Sequence, residues 1–218
     1  MKKIIEDYTQ NHPELATSAH FAFDRRISGD MTTSADIIVC GINPGLKDEP
    51  ALCPSGQPIA QYGTEDYPDR AEDDVNDFIT RAKQLMPEGM TSTLSEFFLW
   101  PSKDADQSFK KAYGASFASK EIRKHLEFVR EMNRRLIAEN KPKAVVAPSL
   151  SHSRYLAKLY NAKHIRDVKG CGDQARTLSH YELPCGTPMV FTAHWTGYRI
   201  SNKQLSTIKG YVRDLVAA

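Results

Sequence analysis

The sequence predicts a three-layer α/β/α domain built on a central, mostly parallel sheet. Two observations carry this prediction. Short apolar runs, "DIIVCG" at 36–41 and "KAVVAP" at 143–148, read as strands buried on both faces. Amphipathic helical stretches alternate with them, which places helices over both faces of one sheet. A length of 218 residues suits a single domain, 1–218, with residues 1–35 as a helical N-terminal extension.

The elements follow in order. "HPELATSAHFAFDRRI" suits a helix opened near Pro13, with Leu15, Ala19, Phe23 and Ile27 on one face. The strand "DIIVCG" comes next. Residues 44–70 hold Pro44, Pro50, Pro54, Pro58 and Pro68 together with Gly45, Gly56 and Gly63. That composition gives a long loop, either functional or disordered. "AEDDVNDFITRAKQLM" is a helix with an acidic first turn and a stripe of Val75, Phe78, Ile79, Ala82 and Leu85. "TSTLSEFFLWP" is a strand or strand-loop stopped by Pro101. "SKEIRKHLEFVREMNRRLIAEN" is the clearest helix, burying Ile122, Leu126, Val129, Leu136 and Ile137.

After the strand "KAVVAP", "SHSRYLAKLYN" is helical. "ARTLSHYEL" and "PMVFTAH" flank a Pro-Cys-Gly-Thr turn and form two late strands. The last helix starts at Ser201, with Gln204 at capping-box spacing and Leu205, Ile208, Val212 and Leu215 on its apolar face.

Composition narrows the class. Hydrophobic residues are 40% and charged residues 26%, as in ordinary globular chains. No apolar run is long enough to span a membrane. Glu6 and Asp7 interrupt the start, so no secretory signal is expected there. Cys40, Cys53, Cys171 and Cys185 form no C-x-x-C pair, so zinc and iron–sulfur signatures are absent from the spacing. They read as reduced thiols of a cytoplasmic protein. Charge is uneven: residues 1–100 carry 8 Lys+Arg against 17 Asp+Glu, and residues 101–218 carry 21 against 10. That polarity hints at a polyanionic partner, although solvated helix faces give the same pattern.

In parallel α/β sheets ligands bind beyond the carboxyl ends of the strands. Two unusual loops stand there: "GINPGLKDEP" after the first apolar strand and "HWTGYRIS" after the last. "VCGINPGL" resembles the first signature of the uracil-DNA glycosylase superfamily, in its mismatch-specific and single-strand-selective branches. "FTAHWTGYRIS" sits where that superfamily carries its second signature, and "KPKAVVAPSLSHSRYL" resembles its central strand entering a helix. The likeness covers roughly residues 36–216 in element order, and only the first signature matches closely letter for letter.

The resemblance implies a uracil-DNA-glycosylase-like fold and hydrolysis of the bond between a pyrimidine and deoxyribose. It implies Asn43 as the residue that positions water, since an amide both donates and accepts. It implies His194 as donor to the departing base, which gains negative charge. Gly41, Ile42, Pro44 and Gly45 would surround the base, with Tyr62 or Tyr67 as the stacking aromatic. Trp195, Thr196, Gly197, Tyr198 and Arg199 would contact DNA, filling the gap left by a flipped base and touching phosphate. No metal or cofactor is implied, and the expected partner is DNA, met by a monomer away from membranes. Trp195 replaces the family's usual Pro, and Thr196 its usual Ser. A member that binds DNA or a modified base without cutting it therefore remains the alternative, and an enzyme acting on free nucleosides is a weaker one.

Overall fold

The first apolar run forms β2 (Ile37–Gly41), buried at all of its positions. The computed structural model describes residues 1–15, 23–28, 33–42, 77–100, 110, 113–170, 176–195 and 200–217. Its other strands are β1 (Arg25–Ser28), β3 (Ser92–Glu96), β4 (Ala144–Ala147), β5 (Lys163–Lys169), β6 (Arg176–Glu182) and β7 (Pro188–Thr192). They make one sheet in the order β1-β3-β2-β4-β7-β6-β5. The central strands β3, β2, β4 and β7 run parallel. β1, β6 and β5 add antiparallel pairs at the two sides.

Helices cover both faces, as the alternation of elements predicts. Successive side chains of a strand point to opposite faces. Ile38, Cys40, Val145 and Phe191 therefore meet α1 (Lys2–Gln10), α3 (Lys120–Asn140) and α4 (Ser153–Leu159) through Ile5, Leu126 and Leu156. Ile37, Val39, Val146 and Val190 meet α2 (Asp77–Leu85) and α5 (Asn202–Ala217) through Ile79, Ala82, Ile208 and Val212. Each such fully buried aliphatic side chain contributes about 1.5–3 kcal/mol. Among the described residues no helix is long and apolar enough to cross a membrane.

The N-terminal region departs from expectation. Among its described residues Lys2–Gln10 and a short turn of 3₁₀-helix, Pro13–Leu15, are helical, whereas Arg25–Ser28 is a strand. Residues 16–22 lie outside the described set. Phe23 and Ile27, four apart, satisfy a helical period and a strand period equally. The burial resolves it: Phe23, Arg25 and Ile27 are buried while Asp24, Arg26 and Ser28 are half-buried. That is a period of two, and Arg25 pairs with Leu94 of β3.

Nor is α1 an appendage. The Tyr8 ring stacks on Phe128 of α3 at 3.6 Å. Trp100 Nε1 donates to Thr9 Oγ1 at 2.8 Å. His125 of α3 lies under Tyr8, and burial pushes its imidazole down to about 4. The second addition is β5, for which the sequence offered no apolar signal. Its residues are almost all exposed, and it closes the far edge with Lys163, Arg166 and Lys169. Charged edge strands of this kind discourage pairing with other chains.

Two local expectations are met in detail. Ser201 caps α5 reciprocally: Gln204 N donates to Ser201 Oγ at 3.2 Å, and Ser201 N donates to Gln204 Oε1 at 2.9 Å. The stretch 92–100 is strand, then loop, buried throughout. Its pairing with the β2 side continues past the strand, with Phe97 N donating to Gly41 O and Phe98 N to Ile42 O, both at 2.8 Å.

Asn133 of α3 fixes the end of β3 from below. Its Oδ1 accepts from Ser95 Oγ at 2.6 Å, and its Nδ2 donates to the Glu96 carbonyl at 3.0 Å and to Tyr160 Oη at 2.9 Å. All three partners lose a hydrogen bond in Asn133→Leu, and a stranded buried polar group costs about 1–3 kcal/mol. We expect this variant to lose about 2–5 kcal/mol of unfolding free energy in urea titrations. A loss within about 0.5 kcal/mol would show that the network is dispensable.

Candidate active site at the carboxyl edge

The four parallel strands all end at one edge. From β2 the chain crosses to β3 on one side, and from β4 it proceeds toward the β7 side. The switch in direction therefore lies between β2 and β4, where open parallel sheets form a crevice. Gly41 closes β2 at this place, Ile42 follows it, and His194 stands two residues beyond β7. β4 separates β2 from β7, so the strands that lead to Gly41 and His194 lie two strand spacings apart, about 10 Å.

Of the residues singled out from sequence, Gly41, Ile42, His194 and Trp195 are described, and all four sit at this edge. Asn43, Pro44, Gly45, Tyr62, Tyr67, Thr196, Gly197, Tyr198 and Arg199 lie outside the described residues. His194 is exposed, with its ring 6.1 Å from Phe78 of α2.

Trp195 differs from its expected role as a wedge between bases. It is 1% exposed and belongs to the core between the sheet and the α2–α5 layer. Its ring stacks on Phe78 at 5.3 Å. Its Nε1 donates to Thr192 Oγ1 at 2.8 Å. The indole buries a large apolar area and satisfies its one donor, so the inward position is the favourable one. Trp195 is thus the anchor that turns its neighbour His194 outward. Trp195→Ala should cost about 3–5 kcal/mol of stability by urea unfolding. An exposed wedge would lose DNA affinity and almost no stability, and that outcome would contradict the packing described.

Glu96 was not among the expected residues, yet it is the most unusual group at this edge. It ends β3 directly beside Gly41 in the parallel register. A Cβ on Gly41 would overlap the Glu96 carboxyl, so any larger residue there would force that side chain to move. Glu96 is 5% exposed, and its Oε2 has no hydrogen-bond partner among the described residues. Burial pushes the carboxyl well above the ordinary range, and the charge of Arg25 opposes this. A carboxyl shifted in this direction holds its proton to higher pH than an exposed one, and in the protonated form it can donate a hydrogen bond.

One sequence signal pointed to Glu96: it is the single acid in the buried run "STLSEFFLW". Ser149, just past β4, is a second missed residue. It is 2% exposed, and its hydroxyl beside the switch point has no partner among the described residues. A cavity of about 710 Å³ lined by Arg130, Arg134, Lys141 and Cys185 also exists. It opens where β4 and β7 begin, the opposite edge of the sheet from His194, and is separate from this site.

The raised pKa of Glu96 makes the folded state lose stability as pH rises. Below its ordinary value of 4.5 the carboxyl is protonated in both folded and unfolded chains. Above it, the unfolded chain releases the proton while the folded chain retains it, so stability falls as pH rises toward the folded value. Glu96→Gln removes this penalty. The variant should gain on the parent as pH rises above about 4.5, by at most about 1.4 kcal/mol per pH unit. Urea unfolding across that range measures it, and parallel profiles for the two proteins would show no such shift.

Neither a protein-family model nor a curated protein matches the chain.

Proposed function

We propose that the protein is a monofunctional DNA glycosylase that removes an aberrant or modified pyrimidine from DNA and leaves an abasic site. The observation that carries this reading is a convergence at one edge. The strand leading into "GINPG" ends at the switch point, and the exposed His194 stands two strands away. Two strand spacings, about 10 Å, is a separation that a base bound beyond the end of β4 can bridge.

In this mechanism the Asn43 amide orients a water toward the anomeric carbon. The glycosidic bond breaks through a transition state with oxocarbenium character, and its electron pair leaves with the base. His194 donates a hydrogen bond to the base oxygen that gains charge. The water oxygen bonds to the sugar carbon, its proton passes to solvent or to the base, and a hemiacetal remains. The base reaches these groups only when flipped from the stack. Since Trp195 is committed to the core, Tyr198 takes the wedge role and Arg199 a phosphate. The protein acts as a cytoplasmic monomer, and no lysine is needed, because no Schiff base forms.

The test uses oligonucleotides carrying uracil, thymine mismatches, xanthine, or hydroxymethylated or glucosylated cytosine, followed by alkali. We expect strand breaks on at least one substrate, slowed about 100-fold or more in His194→Ala and strongly in Asn43→Ala. Tight salt-dependent binding with no breaks on the panel would instead make the protein a DNA-binding member of the same fold. Breaks that persist at parental rate in both variants would remove Asn43 and His194 from the chemistry.

A further inference from the structure

On the α1–α3 face, His12, Glu14 and His125 bring one ligand atom each within 4.8 Å of one another. The 3₁₀ turn builds this grouping. His12 N donates to Thr9 O at 3.1 Å, and Leu15 N donates to His12 O at 2.8 Å. Leu15 is fully buried and pins the turn. That places His12 and Glu14 over His125, which projects from α3 and is 2% exposed.

Both imidazoles are held in place by Tyr8. His12 Nδ1 lies 2.8 Å from the Tyr8 carbonyl oxygen, so it carries the proton and donates there. The lone pair of the neutral ring is then on Nε2. The same ring stacks on Tyr8 at 4.0 Å. His125 Nδ1 lies 3.0 Å from Tyr8 Oη, a hydroxyl able to accept its proton. That tautomer leaves the His125 Nε2 lone pair facing Glu14. A second hydrogen bond of this kind on each ring is the usual support of metal-ligating histidines. The rings stand at 89° with centroids 5.3 Å apart. His125 Nε2 is 3.4 Å from Glu14 Oε1. Two donors bound about 2.1 Å from a tetrahedral ion lie about 3.4 Å apart.

We propose that His12, Glu14 and His125 form a binding site for a divalent first-row metal ion of the zinc class. Two imidazoles and a carboxylate, with a fourth position left for water, suit Zn²⁺ or Co²⁺ better than Mg²⁺ or Ca²⁺, which prefer all-oxygen cages. The ion ties the N-terminal turn to α3, away from the carboxyl-edge site. One group opposes it: Lys124 Nζ lies 2.8 Å from Glu14 Oε1 and competes for the carboxylate. The ion must share Glu14 with Lys124 or take its other oxygen. Cysteine spacing gave no sign of such a site, because its histidines are remote in the chain.

The test uses the full-length, untagged protein, stripped by chelator and titrated with Co²⁺ and then Zn²⁺. We expect close to one equivalent of Co²⁺ to give the visible absorption of a four-coordinate ion, and Zn²⁺ to displace it and raise the melting temperature. His12→Gln and Glu14→Gln alter partly or well exposed residues. Each should keep the parental circular dichroism and weaken Co²⁺ binding by at least about 10-fold. Lys124→Gln removes the competitor and should tighten binding, a change that a purely structural lysine would not produce. Equal affinity in parent and the His12→Gln/Glu14→Gln double variant overturns the proposal. A sulfur-to-cobalt charge-transfer band, which would put the ion on a cysteine, overturns it as well.

Discussion

The structure depends on one constraint: β2 has no water on either face. It lies between β3 and β4, and helical layers cover it from both sides. Its backbone pairs with both neighbouring strands, and all five of its residues are buried. A strand so enclosed has only its ends available for chemistry. Gly41 and Ile42 are where it emerges, and the surrounding core holds that exit fixed.

The exit is held from two directions. On the α3 face, Asn133 gathers Ser95, the Glu96 carbonyl and Tyr160 into one buried set of hydrogen bonds. On the α2 face, the Glu96 carboxyl occupies the space a side chain at Gly41 would fill. The backbone of Glu96 is therefore tied to one layer while its side chain is committed to the other. β7 repeats this division of labour, with Trp195 packed inside and His194 outside. Placing polar groups on rigid strand ends lowers the reorganisation needed when charge develops nearby.

Much of this was legible in the sequence where burial leaves a periodic mark. The runs at 37–41 and 144–147, the stripe on α3 and the cap at Ser201 each followed from one local rule. What was hidden lacked such a mark. β5 is exposed and polar, so no apolar pattern announces it. β1 was masked because Phe23 and Ile27 fit two periods at once, and only pairing with β3 decides between them. For the site, the edge itself was predictable, since Gly41 and His194 follow apolar strands. The inward turn of Trp195 was not, because it depends on Phe78 and Thr192, which meet it only in the folded chain. Glu96 needed the neighbouring strand to show that a glycine makes room for it.

The hydrogen bond from Trp195 to Thr192 also constrains how this part of the chain can change over evolutionary time. Thr192 Oγ1 accepts from the indole and donates to the carbonyl of Ala193, so the spacing of three residues is part of the joint. An insertion or deletion of one residue inside Thr192–Trp195 would change the reach from Thr192 Oγ1 to the indole, so the joint ties the length of this segment to the depth at which Trp195 is packed.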